Sequence, residues 1–500
     1  MRERLKTKPS EEIIENIFEP SIRNDINNYF VSMIVASKAH LIMLVNENII
    51  NEEKGKVILE VLNEMEERGG GVLEINPELE DLYFNIENYI VEKVGVEIGG
   101  SLHTGRSRND LNATVFRMNT REKVLEILKD LNELRSSLIN LAEENLDVVM
   151  SGYTHMQPAE PITFAHYISG ILFSLERDFS RLRHAYTNLN FSPLGSAAMA
   201  STSFPINRLV TAKLLGFDSI TFNSLDSVAS RDFVLEILSA LNTTLITLSR
   251  ISHDFYIWTT EEFSLIELED SIAAVSSIMP QKKNPIILEH IKAKSAHIQG
   301  AYVSASSSLK NTPFGHTRDS SVESVKFFGD ALEEAKKALI LMRVTVKSIK
   351  VDSDLAYKRS ASNFSTVTEL ANMLVREEGL SFRMAHSVVA KFVNQKITSS
   401  ELTNDNDQEI LQYAYKSVLG EDSNLSKSLI ELALEPFQNV SKKKTLGGPA
   451  PSEVELQLGR LKNNLAEDQK LYSNKKKQVE NSKDILDEKV SRFIQSANKV

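Results

Sequence analysis

Apolar residues recur at steps of three and four through most of this 500-residue chain, and little interrupts them. Val124, Ile127, Leu128, Leu131, Leu134, Leu138 and Leu141 fall on one stripe of a helix. From Phe233 to Trp258 the chain is apolar around most of a helix circumference, with Val234, Leu238, Leu241, Leu245 and Leu248 in line. That pattern describes a helix buried on several sides. Val322–Val346 is a third long helical stretch. With 20 glycines and 13 prolines, breakers are too sparse for many short strands and turns. No segment shows period-two alternation flanked by hairpin turns. The expected fold class is all-α.

Three parts are expected. Residues 1–105 read as short helices with breaks at Pro20, Gly69–Gly71 and Gly99–Gly100. Residues 106–352 hold the longest helices, as in a bundle. Residues 353–500 return to shorter helices, with a turn at Leu446–Pro451 and, from Val454, a highly charged terminal helix that is exposed or meets a partner. The chain has no cysteine, which excludes disulfides, thiolate metal sites, iron–sulfur clusters and cysteine nucleophiles, and fits a cytoplasmic address. A net charge of −11 gives no support for nucleic-acid binding, and the runs Lys442–Lys444 and Lys475–Lys477 read as solvated faces. No uninterrupted apolar run reaches the roughly 20 residues of a membrane span. The opening MRERLKTKPSEEII lacks the apolar core of a signal peptide, so a soluble, unprocessed chain is expected.

Four polar segments resist a purely structural explanation. Ser101–Asp110, SLHTGRSRND, follows a glycine pair and precedes a helix, whose start offers free N–H groups to an anion. Arg106, Ser107, Arg108 and Asn109 add donors, although the segment also reads as a loop capped by Asn109 or Asp110. In Gly152–His166, GYTHMQPAEPITFAH, His155 has the chemistry of a general acid or base, or of a structural histidine. His155 and His166 are too far apart for a compact metal pair, and no metal cluster is expected. Ser192–Arg208, SPLGSAAMASTSFPINR, crowds small residues as at a pocket wall or a tight packing site. In Ser276–Pro285, SSIMPQKKNP, Lys282 and Lys283 suit a developing dianion, and cations near a serine favour its alkoxide. The alternative is an exposed hydrophilic loop.

Together these segments resemble the fumarase/aspartase superfamily. Its signature Gly-Ser-Ser-x-Met-Pro-x-Lys-x-Asn is matched by Ser276, Ser277, Met279, Pro280, Lys282 and Asn284. Within it, LHTGRSRND and SSIMPQKKNP are most similar to the argininosuccinate lyases. GYTHMQPAEPITFAH, PLGS, NSLDSVASRDFVLE (Asn223–Glu236), FRMAHSVV (Phe382–Val389) and GGPAPSEV (Gly447–Val454) follow in the family's order. The resemblance implies a three-domain helical subunit whose central helices form a twenty-helix core in a homotetramer, with each active site shared between subunits. It implies a small-molecule substrate, no redox cofactor and no metal, and no nucleic-acid or membrane partner.

The implied reaction removes the Cβ proton beside a carboxylate of an N-succinyl group, holds the resulting aci-carboxylate dianion and expels the nitrogen as fumarate forms. By the resemblance Ser276 is the base, with Ser277 the alternative. Lys282 and Asn284 hold the carboxylate that takes up charge, and His155 is the acid or proton carrier, oriented by Glu289. Ser107, Arg108, Asn109, Thr154 and Gln157 bind the succinyl group, and Ser21 contacts the amino-acid half.

Several positions depart from the family. Val275 replaces the glycine that opens the signature loop, Leu111 replaces a glutamine after RSRND, and Pro158 stands where a basic residue is usual. In Phe314–Ser324, FGHTRDSSVES, Arg318 and Asp319 are kept, but His316, Ser321 and Ser324 occupy the positions of the Tyr, Gln and Lys that bind arginine. The fumarate half is therefore retained more fully than the amine half. Three readings follow: an argininosuccinate lyase, a sister lyase acting on another N-substituted aspartate, and a non-catalytic protein on the same scaffold.

Overall fold

The computed structural model describes residues 4–398 and 406–496. After α1 (Glu19–Asn46), five long helices make the centre: α2 (Arg108–Glu144), α3 (Phe164–Leu189), α4 (Asp232–Trp258), α5 (Ile286–Leu309) and α6 (Phe328–Ser348). α4 lies between α3 and α5, while α2 packs on α3 and α6. The stripe from Val124 to Leu141 is buried along its length, as are Val234, Leu238, Leu241, Leu245 and Leu248 of α4. These residues share one apolar cluster, a second surrounds α1, and a third joins residues between Leu370 and Ala433.

Some details differ from the sequence expectations. The first 105 residues are not all short helices, because α1 alone has 28 residues and continues upstream to Glu11. Pro20 does not break it. The turn just before, Ile14–Phe18, is π-helical, and its wider winding accommodates a residue that lacks an N–H and crowds the carbonyl four positions back. The C-terminal part likewise contains the longest helix, the 46-residue α7 (Pro451–Ser496). It buries only a narrow stripe, Val454, Leu458, Leu461, Leu465 and Val479 on the central cluster and Leu486 and Val490 on the second. One stripe leaves most of the surface charged, which hid its length. The third helix begins at Phe328 rather than Val322, after the short turn Glu323–Val325.

A hairpin is present after all. β1 (Val149–Thr154) pairs antiparallel with β2 (Gln157–Thr163), with a shift in register around Gly152. Its prolines and its broken register erased the alternation that would have announced it. A smaller ladder joins β3 (Ala274–Val275) to β4 (Lys283–Asn284). By mean hydropathy and length, Glu11–Asn46 and Asp232–Trp258 also pass the test for a membrane span. A window average tolerates isolated polar residues that an uninterrupted run does not, and both helices carry core residues such as Ile34, Leu41 and Leu241.

Leu241 is fully buried in α4 between its neighbours. Leu241→Ala should therefore cost about 2–5 kcal/mol of stability by lost transfer and a residual cavity, read as a lower midpoint in chemical denaturation.

Candidate active site

The start of α2 is built by one capping box. Ser107 is the N-cap, its Oγ accepting from the Asn109 N–H at 3.3 Å while Asp110 Oδ1 accepts from the Ser107 N–H at 2.8 Å. The cap is therefore Ser107 and not Asn109 or Asp110. The other oxygen of Asp110 accepts from Gly195 N at 2.8 Å and Ala197 N at 2.9 Å, and Asn109 Nδ2 donates to Ala198 O at 3.1 Å. The small-residue loop is thus tied to the helix start. Gly105 has φ +73, and a Cβ there would meet Ile206 at 3.0 Å, so the approach needs glycine. Burial raises the Asp110 carboxyl to about 6 despite its backbone donors.

The two arginines of this segment diverge. Arg108 Nη1 reaches Asp81 Oδ2 at 2.8 Å, and its guanidinium lies over Phe84. Arg106, grouped with the anion-binding donors in the sequence reading, instead turns inward. It lies over the Tyr83 ring and donates to Ser37 Oγ at 3.2 Å, with only 5% of its surface exposed.

A second set of residues gathers near Arg108. Desolvation lowers the His316 imidazole to about 4, reinforced by the charges of Arg231, Arg318 and Arg108. Burial raises Asp25, one turn after Ser21 on α1, to about 6, with Asp81 adding to the rise and Arg318 opposing it. His316 Nδ1 and Ser321 Oγ are buried without a hydrogen-bond partner among the described residues. Ser324 does not present a hydroxyl to this space; it is buried and donates to Ser320 O at 2.7 Å. Arg231 was not singled out from the sequence. It is 6% exposed, donates to Ser230 O at 2.7 Å and leaves Nε unpartnered. Its sequence signals are its place inside the run Asn223–Glu236 and its position immediately before a helix start.

The hairpin carries the second segment. Thr154 and Gln157 pair across its end, and His155 and Met156 form the tip with φ of +53 and +59. Neither is glycine, so each holds a sparsely populated conformation costing about 1 kcal/mol or more. Thr154, His155 and Gln157 are exposed.

The signature loop projects between β3 and β4. Ser276 Oγ accepts from Met279 N at 3.0 Å and Ile278 N at 3.3 Å, donors that favour a developing alkoxide. No such contact is made by the exposed Ser277 among the described residues. Lys283 anchors the base of the loop on Asp270 at 2.7 Å and Glu267 at 3.3 Å. Lys282 forms no ion pair among the described residues and is exposed. Val275 pairs with Lys283 in an extended ladder, a conformation that suits a β-branched residue. Beyond Asn284, Glu289 on the first turn of α5 accepts from Tyr256 Oη at 3.1 Å.

Three groups result: Ser21, Ser107, Arg108, Asn109, His316 and Ser321; the tip Thr154–Gln157; and Ser276–Asn284 with Glu289. Among the described residues of one chain, no hydrogen bond or ion pair joins one group to another, and Glu289 meets Tyr256 rather than His155.

Residues 11–300 match the family described as Lyase, and residues 364–441 match the argininosuccinate lyase C-terminal family. Argininosuccinate lyase 1 of Shouchella clausii is 48% identical over 479 residues, 96% of each chain. The argininosuccinate lyase of Methanothermobacter thermautotrophicus is 36% identical, covering 93% of this chain and 99% of its own. Among solved structures, EDDS lyase in complex with formate superposes with a TM-score of 0.88 and 30% identity, covering 99% of this chain and 98% of that one.

The neutral state of His316 has a direct readout. In an NMR titration its ring should change charge near pH 4, well below an ordinary histidine. Because the folded state resists the proton that the unfolded state accepts, His316 should make stability fall as pH drops from about 6.5 toward 4.

Proposed function

The chain belongs to the argininosuccinate lyase family, and from that premise we propose how it cleaves argininosuccinate to arginine and fumarate. Ser276 takes the Cβ proton, and the electron pair passes into the adjacent carboxylate. Lys282 and Asn284 stabilise that aci-carboxylate dianion. Its collapse forms the carbon–carbon double bond and breaks the C–N bond, while His155 gives a proton to the departing nitrogen. Glu289 orients His155 and favours its charged form. Ser107, Arg108, Asn109, Thr154 and Gln157 hold the succinyl carboxylates, and Ser21, His316 and Ser321 face the amino-acid half. The observation that carries this reading is the signature loop, in which Ser276 receives two backbone N–H groups while Lys282 forms no ion pair among the described residues beside the anchored Lys283.

The separation of the three groups in one chain supports a homotetramer in which different subunits complete each site. Exposed Val275, Ile278 and Met279 on the loop suit such closure. The segments 1–105, 106–352 and 353–500 are proposed as the three domains, and the cytoplasm as the location. A second reading, a sister lyase releasing fumarate from another N-substituted aspartate, is favoured by one observation. His316, Ser321 and Ser324 alter the amine side, and Ser324 spends its hydroxyl on its own turn.

Purified protein given argininosuccinate should form fumarate, followed by its ultraviolet absorbance. Ser276→Ala should lower kcat about 10²- to 10⁴-fold and Lys282→Met about 10²- to 10³-fold, with the oligomer unchanged by light scattering. Fumarate released only from a different N-substituted aspartate would establish the sister reading instead.

A further inference from the structure

Glu289 is exposed on the first turn of α5, where a glutamate side chain has wide rotamer freedom. It is held nonetheless. The hydroxyl of Tyr256, two residues before the end of α4, donates to Glu289 Oε1 at 3.1 Å. The Tyr256 ring is half-buried and packs against the central apolar cluster. On α5, one turn beyond Glu289, Lys292 places its ammonium 5.0 Å over the same ring. The ring is thus held by the core and by a cation, and it carries its hydroxyl as a fixed donor. The bond uses one carboxylate oxygen. Glu289 Oε2 accepts no hydrogen bond and forms no ion pair among the described residues.

We propose that Tyr256 is a positioning residue for the elimination. It holds Oε1 so that Oε2 is presented to the imidazole N–H of His155 supplied by another subunit. A neutral phenol suits this task, because it donates without adding a positive charge. Glu289 keeps the negative charge that favours an imidazolium, which a lysine bonded there would offset. The hydrogen bond to Glu289, with that residue's charge, in turn raises the Tyr256 phenol above its ordinary value, so the hydroxyl stays protonated and remains the donor. The inference rests on the proposed pairing of Glu289 with His155, and it gives a purpose to the Tyr256 contact that Glu289 makes within one chain.

Fumarate release from argininosuccinate by the assembled enzyme tests it. Tyr256→Phe keeps the ring packing and removes only the hydroxyl. It should lower kcat about threefold to tenfold, the rate equivalent of one net hydrogen bond, with KM and the thermal midpoint unchanged. Glu289→Asp draws the carboxylate back by one methylene, out of the hydroxyl's reach. Adding Tyr256→Phe to it should therefore lower kcat no further, measured in single turnovers where the rate is slow. No loss from Tyr256→Phe, a loss that comes with a lower thermal midpoint, or the same loss in both backgrounds overturns the inference and leaves the role of Glu289 standing. If Glu289→Gln has no effect on kcat, the reading of Glu289 falls and the inference falls with it.

Discussion

A helix buried on several faces has no room for polar chemistry along its shaft. α4 is apolar around most of its circumference, α3 and α5 bury long faces against it, and α2 packs in turn on α3. Polar groups are driven to the ends. Ser107–Asn109 begin α2, the hairpin tip leads into α3, Arg231 stands before α4, and the Ser276–Asn284 loop leads into α5. The hairpin tip stands at the far end of β2 from α3, while Ser107, Arg231 and the end of the Ser276–Asn284 loop stand at helix starts, where free N–H groups and the positive end of the dipole lie. That is a suitable environment for a substrate carrying carboxylates, and it arises from packing before any single side chain is considered.

Charge around these ends is balanced by geometry. Asp110 accepts backbone N–H groups from its own cap and from the Gly195–Ala197 turn, so one buried carboxylate sets the distance between two segments remote in sequence. Arg108 is held by Asp81. Arg231 is buried among carbonyls, and burial lowers its guanidinium to about 10. With Arg318 also near, His316 remains neutral and offers an acceptor rather than a further positive charge. The surroundings of His316 are therefore a hydrogen-bonding surface without a further cation.

The departures in the sequence also acquire physical content. Val275 sits in extended backbone, where a β-branched residue is at ease. The two lysines of the signature loop separate into an anchor, Lys283, and Lys282, which is exposed and forms no ion pair among the described residues. Ser324 is buried and spends its hydroxyl on the turn that precedes it.

Helical periodicity and scarce breakers were enough to predict an all-α chain and the course of α2 and α4, because burial of a continuous face writes its period directly into the sequence. The motifs located the polar segments for the same local reason: their residues are neighbours along the chain. What periodicity missed was not α7 itself, expected as a charged terminal helix from Val454, but its length among shorter neighbours, and the hairpin that carries His155, whose prolines and register shift erase alternation. The inward turn of Arg106, the cap at Ser107 and the role of Arg231 were decided only by the tertiary structure. Arg106 and Arg231 depend on partners far away in sequence or on burial by other elements, of which a linear pattern carries no record, while the cap at Ser107 is local but one of several residues in SRND able to make it.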